Sequence, residues 1–421
     1  MMEQMKTILL FLCFSEITQR ADLSGCTIYP IRRDAPFPIN PTSNTLLYPR
    51  PSETSIRFAP NTQVEFSCPE SNVIVRGNLG DTLITATCEE NGAFKIPWQS
   101  EDLVFDYSSL KCTGEPIPTV RKFRHYELKY GDPNINCHNK LHHNLVILKI
   151  GFRIDSYGRY LDHIDICFDT ADKIPVYSHY NISAATNSRA KGFQNPYFIK
   201  DESHYELNSD LYQLFRDVKY TVNNIVGLNY DSNKYINQGI FINKGHLAAK
   251  ADFVYESLQK ATFRFINIAP QWDKFNAGNW NEAEINSRNY AHNRRVDLQV
   301  WTGTYGHSVL PHEITNEPKP LYLHVSGRNS PSIRVPGVFW KLLYEPVSKR
   351  AIILVGHNNP YEAVTAREMV CDRDVSSQVN WLYWDKYNLV LGYSYACEYD
   401  DRKFQSLVSV LPPLEVTGLL Y

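Results

Sequence analysis

This sequence has almost no excess of either charge. It carries 43 Lys and Arg residues against 45 Asp and Glu, a formal net charge of −2. Binding of nucleic acid through bulk charge needs a positive excess, so any polyanion site must be a local patch. The sequence also lacks any apolar run of about 18 residues, the length that a membrane-spanning helix requires. We therefore expect the mature protein to have no membrane partner.

Several motifs of known binding chemistry are also missing. The sequence has no CxxC pair, no P-loop, no Rossmann fingerprint and no internal repeat. Residues 137–143, CHNKLHH, place Cys137 beside His138, His142 and His143. The partner cysteines of a structural zinc site are absent, so Cys137 is more simply half of a disulfide.

The first residues indicate export. One lysine precedes a short apolar run, Ile8 to Phe14, which is too short to cross a bilayer but suits a signal-peptide core. We expect residues 1–21 to be a signal peptide, cleaved between Thr18 and Asp22. The alternative is a buried N-terminal strand.

The cysteines favour the same compartment. Cys13 would leave with the signal peptide, and the remaining even number predicts four disulfides in an oxidising environment, with connectivity open. These cysteines divide into four before residue 115 and four after it: Cys26, Cys68, Cys88, Cys112, Cys137, Cys167, Cys371 and Cys397. The sequon at Asn181 could carry a glycan in a secreted chain.

Composition divides the mature chain into two regions. Residues 22–60 are rich in Pro, Ser, Thr and Asn and should be extended, and short strand patterns (QVEFSC, NVIVRG, TLITATC) follow up to residue 112. We predict that 22–115 is a small disulfide-stapled β-rich module and that 116–421 is a second domain. The module carries no chemical motif; it is either an interaction unit or a cover over one edge of the second domain.

The second domain has longer strand patterns and one clear helix pattern. Strand patterns occur at 144–154, 163–169, 173–182, 297–305, 321–326, 338–345 and 350–357. One helix is predicted from Leu211 to Val226, capped by Asn208 or Ser209 and ended by Gly227. Strands outnumber helices and do not alternate with them as βαβ units would, so the fold class is α+β.

Chemistry concentrates between residues 242 and 295. The stretch INKGHLAAKADF ends a strand pattern on a Gly-His, the stretch ATFRFINIAPQW (261–272) alternates as a crossing strand, and residues 275–295 turn into a helix. Asn276, Glu284 and Arg288 are spaced by eight and four residues, which places them within roughly a third of a helix circumference. The predicted order is therefore ββα.

The ordered set NKGH, FINIAPQ and FNAGNWNEAEINSR resembles the DNA/RNA non-specific endonucleases, the ββα-metal nucleases with a D-R-G-H motif. Looser similarity (VYSHYNI, VWTGTYG, VPGVFWK) extends over about 120–400. Within the family, these sequence segments are most similar to the secreted arthropod branch. That branch includes nucleases of digestive tissue and nuclease-like salivary proteins of blood-feeding flies. The resemblance implies a ββα-metal domain of central antiparallel sheets flanked by helices.

The resemblance also implies residue roles. His246 matches the general base, Asn276 the direct ligand of a Mg²⁺ ion (with Mn²⁺ as a substitute), and Glu284 a carboxylate that binds the ion through water. The remaining matches are Asn267 beside the metal-water cluster, Arg288 near the scissile phosphate and Lys244 on phosphate. The implied activity is hydrolysis of DNA, and of RNA, without strong sequence preference, leaving 5′-phosphate ends.

Elementary chemistry agrees with these roles. Mg²⁺ keeps several waters and takes few protein oxygens, and a neutral imidazole accepts a proton near neutral pH. Residues 244–295 carry eight basic against five acidic side chains, which permits a phosphate groove. No protein partner can be inferred.

Several of these residues also have a purely structural interpretation. Glu284 and Arg288 could form an ordinary helix ion pair, Asn267 could bond backbone groups, and Lys244 could be solvated. Trp272 and Trp280 are expected in the core rather than as base-stacking platforms.

One departure from the family motif matters for function. Asn243-Lys244 replaces the Asp-Arg of the motif, and lysine lacks the two-pronged guanidinium grip on phosphate. The alternative function is therefore a nuclease-fold protein that binds nucleic acid but hydrolyses it weakly.

Overall fold

The computed structural model describes residues 25–123, 137, 144–205, 210–325 and 331–421. Within these residues the chain forms two compact units, one of 25–117 with 152–161 and one of 118–151 with 162–421. The predicted signal peptide, the candidate helix caps Asn208 and Ser209, and the histidines His138, His142 and His143 lie outside the described residues.

The N-terminal unit consists of short strands. They are β1 (Cys26–Ile28), β2 (Phe37–Asn40), β3 (Thr45–Leu46), β4 (Ile56–Phe58), β5 (Gln63–Ser67), β6 (Val73–Val75), β7 (Asn78–Leu79), β8 (Leu83–Cys88), β9 (Phe94–Trp98), β10 (Glu101–Phe105) and β11 (Leu110–Cys112). They pair as a six-stranded sheet (β10-β9-β8-β5-β2-β3), a three-stranded sheet (β11-β6-β7) and the pair β1-β4. Two disulfides, Cys26–Cys88 and Cys68–Cys112, cross-link a core that is too small to rely on apolar burial alone.

The C-terminal unit is built on a nine-stranded sheet. The remaining strands are β12 (Thr119–Phe123), β13 (Leu145–Arg153), β14 (Tyr160–Asp169), β15 (Ile174–Ile182), β16 (Ile242–His246), β17 (Ile268–Trp272), β18 (Leu298–Tyr305), β19 (Val309–Pro311), β20 (Pro318–Pro320), β21 (Tyr322–Val325), β22 (Pro331–Arg334), β23 (Val338–Glu345), β24 (Arg350–His357), β25 (Ser394–Cys397) and β26 (Gly418–Leu419). The sheet order is β12-β13-β14-β15-β18-β23-β24-β25, with β26 parallel to β24. The central pairs from β14 to β25 are antiparallel, as predicted for this α+β fold.

Helices of the described chain all lie in the C-terminal unit. They are α1 (Glu202–Tyr205), α2 (Leu211–Ile225), α3 (Glu256–Ala261), α4 (Asp273–Ala277), α5 (Asn279–Arg294) and α6 (Arg402–Leu407). Helix α2 confirms the predicted helix, although its cap is Asp210, whose Oδ1 accepts from the Tyr212 amide at 2.7 Å. Gly227 follows with φ +74°, a conformation that glycine adopts without strain. None of these helices is long and apolar enough to cross a membrane.

The predicted strand over 261–272 is wrong in its first half. Residues Glu256–Ala261 are helical, Phe265–Asn267 form a 3₁₀ turn, and only Ile268–Trp272 pair as β17. The Asn267 side chain donates to the carbonyl oxygen of Thr262 at 3.0 Å, five residues back, and this bond closes the chain into a turn. The alternating pattern therefore reflects burial of a compact turn rather than an extended strand.

Strand β16 and strand β17 form the antiparallel hairpin that positions the site. Ile242 pairs with Trp272 and His246 with Ile268, and helix α4 packs against both strands. The predicted helix over 275–295 is present as α4 and α5, separated at Gly278, where a Cβ would lie 2.5 Å from the Lys274 carbonyl oxygen. The ββα order is thus confirmed.

Two further disulfides, Cys137–Cys167 and Cys371–Cys397, complete the predicted four. The split of four cysteines on each side of residue 115 is confirmed, and the zinc interpretation of Cys137 is excluded because its sulfur is bonded to Cys167. This cross-linking fits an oxidising, extracellular compartment.

Candidate active site

His246 ends strand β16 and is half-buried as a residue. The rings of Phe263 and Phe198 lie 5.0 and 5.2 Å from it, centroid to centroid. Its Nε2 atom is buried and has no hydrogen-bond partner among the described residues. Burial, and secondarily the charge of Lys250, lower the pKa of His246 to about 4. The imidazole is therefore neutral at neutral pH, with one ring nitrogen free of protein partners.

Lys244 lies two residues earlier, on the same face of β16. Its ammonium is packed against three aromatic rings, with Nζ 4.9 Å from the Phe215 centroid, 5.6 Å from Tyr212 and 5.9 Å from Phe198. Burial lowers the pKa of Lys244. Phe198 thus contacts both Lys244 and His246, and the Lys244 charge is held in an aromatic pocket rather than fully solvated.

Asn267 has all its hydrogen-bonding capacity used inside the protein. Its Oδ1 accepts from Ser178 Oγ at 2.9 Å and from the Ala248 amide at 3.0 Å. Its Nδ2 donates to the carbonyls of Ala248 and Thr262, each at 3.0 Å, and the residue is fully buried. Asn267 thereby holds the chain that follows His246, and its predicted place beside a metal-water cluster stays a prediction.

Arg288 is also engaged inside the protein. It is 5% exposed, and its Nη1 donates to Asp252 Oδ1 at 2.8 Å. This ion pair ties helix α5 to the 3₁₀ turn Lys250–Asp252, a few residues after His246, and the predicted place of Arg288 near the scissile phosphate stays a prediction. Arg288 therefore positions the elements around the site.

Asp252 is the centre of a buried polar network that the sequence did not reveal. Tyr180 Oη donates to Asp252 Oδ2 at 2.8 Å. The fully buried Lys341 donates to Tyr180 Oη at 2.7 Å and to Thr302 Oγ1 at 2.9 Å, with Asp252 Oδ2 at 3.8 Å. These bonds join β15, β18, β23 and helix α5 into one rigid frame.

Glu284 faces this network from helix α5 without a hydrogen-bond partner among the described residues. Burial, and then the Asp252 carboxylate, raise the pKa of Glu284 to about 7, while Lys341 and Arg288 oppose the rise. An unpaired carboxylate held by cations can accept hydrogen bonds from the waters of a metal ion. The ion-pair alternative with Arg288 is not what the structure shows, since Arg288 bonds to Asp252 instead.

Asn276 lies in helix α4, partly exposed, and its amide has no hydrogen bond to another described residue. Its neighbour Asn279, by contrast, bonds Asp385 and Gly392 through its Nδ2 and is buried. No group of three or more His, Cys, Asp or Glu side chains in the described chain is placed to hold a metal ion. One amide oxygen and one carboxylate acting through water suit Mg²⁺, a hard ion that retains most of its waters.

The structure brings some predicted residues together and not others. Glu284 and Arg288 share the Asp252 network, and Lys244 and His246 share Phe198. No direct side-chain contact joins His246, Asn276 and Glu284 in the described chain. Arg189, which lies near both Lys250 and Arg288, was missed, and Lys250, which acts on the charge of His246, was counted only as part of the basic stretch 244–295.

Sequence signals for the missed residues existed. Asp252 follows His246 by six residues in the quoted stretch, and Lys341 is a lysine inside an otherwise apolar strand pattern. Trp272 and Trp280 are buried, as predicted for core residues. Asn181 is exposed on β15, so its sequon stays a predicted glycosylation site.

A model of the DNA/RNA non-specific endonuclease family matches residues 143–402. The salivary endonuclease of Lutzomyia longipalpis is 27% identical over 285 residues, which cover 65% of this chain and 64% of that protein. The chain thus spans just under two thirds of that relative.

Two tsetse proteins match over most of their length. Salivary protein Tsal2A of Glossina morsitans morsitans is 22% identical, covering 92% of this chain and 91% of its own. Salivary protein Tsal1 of the same fly is 24% identical, covering 88% and 86%. The solved EndoG/EndoGI complex matches with a TM-score of 0.31 and 21% identity, over 48% of this chain and 73% of that chain; so low a score supports no argument.

Proposed function

Because the chain belongs to the DNA/RNA non-specific endonuclease family, we propose that it is a secreted, Mg²⁺-dependent endonuclease of DNA and RNA. It hydrolyses phosphodiester bonds without strong sequence preference and leaves 5′-phosphate ends. The observation that carries the proposal is the unpaired Nε2 of His246, at the end of the hairpin against which the helix bearing Asn276 packs.

His246 is the general base. Its pKa of about 4 keeps the imidazole neutral at neutral pH, and its Nε2 is free to accept the proton of the attacking water. The rings of Phe198 and Phe263 restrict the imidazole to one orientation. Asn267 supports this geometry through its two bonds to Ala248, two residues after His246.

Asn276 and Glu284 would hold the metal ion, Asn276 through its amide oxygen and Glu284 through water. A bound Mg²⁺ supplies positive charge to the phosphodiester as negative charge develops on it. Mn²⁺, which also prefers oxygen ligands, is expected to substitute.

Basic side chains beside His246 favour an anionic substrate. Burial and neighbouring cations lower the pKa of both Lys250 and Arg189. Crowded cations repel one another, and a phosphate between them would relieve that repulsion. These residues, rather than the paired Arg288, are therefore assigned to the substrate phosphates.

A second candidate is a binding protein that hydrolyses nucleic acid weakly. It is favoured by Asn243-Lys244: Asn243 Oδ1 accepts from the adjacent Lys244 amide at 2.8 Å, and the Lys244 ammonium lies among aromatic rings. Neither side chain supplies the bidentate grip of an arginine.

Secretion is supported by the apolar run at Ile8–Phe14, by the disulfides, and by relatives that are salivary proteins. The N-terminal module, predicted as 22–115, is proposed to be either an interaction unit or a cover for the nuclease domain. No protein partner is proposed.

The test is digestion of plasmid, single-stranded DNA and RNA by the purified protein in Mg²⁺, Mn²⁺ or Ca²⁺, with EDTA as a control. We expect His246→Ala to lower the rate by about 10²–10⁴-fold, because proton removal by the base is lost. His324→Ala, in strand β21, serves as the matched histidine control and should retain the full rate. Equal nicking by wild type and His246→Ala would exclude the catalytic role.

A measurement of DNA affinity at several salt concentrations, beside the digestion assay, separates the two candidates. Salt-dependent DNA binding with turnover orders of magnitude below that of an active family member would favour the binding protein. Undetectable DNA binding would exclude it.

A further inference from the structure

Residues 189–200, here called the 189–200 loop, are held against His246. The Ala190 amide donates to the Val254 carbonyl at 2.8 Å, and the Ile199 amide donates to the Phe263 carbonyl at 2.9 Å. Between these ends, Lys250 Nζ donates to Asn195 Oδ1 at 2.6 Å. The loop is therefore fixed at both ends and in the middle to the chain that surrounds the proposed base.

The loop carries positive charge without acidic residues. Its sequence, RAKGFQNPYFIK, contains three basic side chains and no Asp or Glu. Lys200 is paired with Asp210, but Lys191 is exposed and has no ion pair among the described residues. Lys250, outside the loop, adds a cation close enough to Arg189 for the two charges to repel. This surface attracts a phosphate backbone.

The loop also presents an aromatic ring to solvent. The side chain of Tyr197 is 91% exposed and makes no ring contact within the described chain. Its backbone is restrained, because Pro196 precedes it, the next residue, Phe198, packs on the His246 ring, and Ile199 bridges to Arg264. A single exposed tyrosine is ordinary, but this one lies in the chain between Lys191 and Lys200 and directly before Phe198, whose ring packs on His246.

The other loop aromatic near these cations, Phe193, does not present an open ring face. Lys250 Nζ lies 4.2 Å from its centroid and Lys260 Nζ lies 5.7 Å away, so cations already occupy its surroundings. Tyr197 is the ring of this loop whose faces are open.

We propose that Tyr197 is a stacking platform for an unpaired base of single-stranded nucleic acid, with Lys191, Arg189 and Lys250 on the flanking phosphates. The inference rests on the proposed function of His246, because it supplies a subsite beside that base. Bases in a duplex already stack on their neighbours, so an open aromatic face rewards single strands selectively. The site is therefore a determinant of strand preference.

The test is the affinity of the full-length protein for a fluorescein-labelled oligo(dT) 12-mer and for a 12-base-pair duplex. Fluorescence anisotropy is measured at fixed salt with EDTA, so that no cleavage occurs. We expect Tyr197→Ala to weaken binding of the single strand by about tenfold, the effect of one lost base–aromatic stack, and to change duplex binding less than twofold. Tyr197→Phe keeps the ring and should bind as the wild type does.

Tyr157→Ala provides a control, because Tyr157 is 95% exposed and lies outside the 189–200 loop. It should leave both affinities unchanged. The inference is overturned if Tyr197→Ala binds the single strand normally, if it weakens both ligands equally, or if the wild type binds no oligonucleotide. Because no catalysis takes place in EDTA, an inactive enzyme with a selective Tyr197 effect would reject the proposed function and retain the subsite.

Discussion

Five predicted site residues of the C-terminal unit differ in how their polar side-chain atoms are bonded. Nε2 of His246, the Asn276 amide and the Glu284 carboxylate have no hydrogen-bond partner in the described chain, whereas Asn267 and Arg288 are bonded within it. A buried polar atom left unpaired costs free energy, so such atoms are uncommon unless a ligand or water completes them. Among these five residues the contrast favours His246, Asn276 and Glu284 for contact with substrate or metal, although buried atoms of other residues, Gln271 among them, are unpaired in the described chain as well.

The raised pKa of Glu284 predicts pH-dependent metal binding. With a pKa of about 7, Glu284 is mostly protonated at pH 6 and mostly ionised at pH 8 in the metal-free protein. The metal ion favours the ionised carboxylate, so below pH 7 Glu284 must lose its proton when the ion binds. The affinity of the protein for the ion should therefore fall about tenfold from pH 8 to pH 6. Titration with MnCl₂, followed by electron paramagnetic resonance of free Mn²⁺, measures this difference.

Two variants on helix α5 sharpen the metal experiment. Glu284→Gln should bind Mn²⁺ more weakly but with the same affinity at both pH values. Glu282→Gln, two residues earlier, should keep the wild-type pH dependence. An unchanged wild-type affinity between pH 6 and pH 8 would contradict the assignment of Glu284.

Among secondary-structure elements, the β16–β17 hairpin sets the geometry of the base. Gly245 precedes His246 and lies where a Cβ would be 2.2 Å from Gln271 Oε1 and 2.7 Å from Gln271 Cβ. Gln271 is fully buried in β17, so it cannot move aside into solvent. Glycine is required here by the close approach of the partner strand.

Gly245→Ala should therefore lower the free energy of unfolding by about 1–3 kcal/mol, the usual range for an overpacked site. The strained strand also carries His246, so the cleavage rate should fall. Gly418→Ala, where no atom lies within 4 Å of the added Cβ, is the control and should stay within about 0.5 kcal/mol of wild type. Urea denaturation measures both, and equal stability of the two variants would show that Gln271 accommodates the methyl group.

Periodicity predicted the long elements of this domain well. Strands β13 to β15, β23 and β24, helix α2 and the ββα order follow from it, because each buries a continuous apolar face. It failed at 261–267, where the turn is held by four hydrogen bonds of one asparagine, Asn267. The buried network of Asp252 and Lys341 was not predicted either: a lysine in an apolar strand pattern signals a buried partner, but not one 89 positions away in sequence.

For the molecule as a whole, cysteine parity predicted four cross-links but not their pairing. The observed pairs close segments with sequence separations of 62, 44, 30 and 26, and each pair lies wholly on one side of residue 115. Cross-links of this kind limit the unfolded ensemble, which suits a chain exposed outside the cell.

Three histidines of the C-terminal unit make the protein sensitive to acid. Burial lowers the pKa values of His163, His246 and His357 to about 4 in the folded state, against about 6.5 for an unfolded chain. Below pH 6.5 the unfolded chain binds protons that the folded chain excludes, so stability is complete above pH 6.5 and falls towards pH 4. Glu284 opposes this trend, because between pH 7 and 4.5 the folded chain binds one proton that the unfolded chain does not. The three histidines outweigh this one group, so stability still falls as the pH is lowered.

We therefore expect the free energy of unfolding to fall from pH 7.5 to pH 5, by about 1.4 kcal/mol per pH unit for each net proton taken up. The midpoint of urea denaturation should fall with it. His163→Gln removes one such group; its Nε2 lies 2.9 Å from the Leu258 carbonyl, a bond that the glutamine amide can replace. This variant should show a shallower pH dependence, whatever its stability at pH 7.5, and His324→Gln should keep the wild-type slope. A wild-type midpoint that is constant over this range would mean that these imidazoles titrate in the folded protein as they do in the unfolded chain.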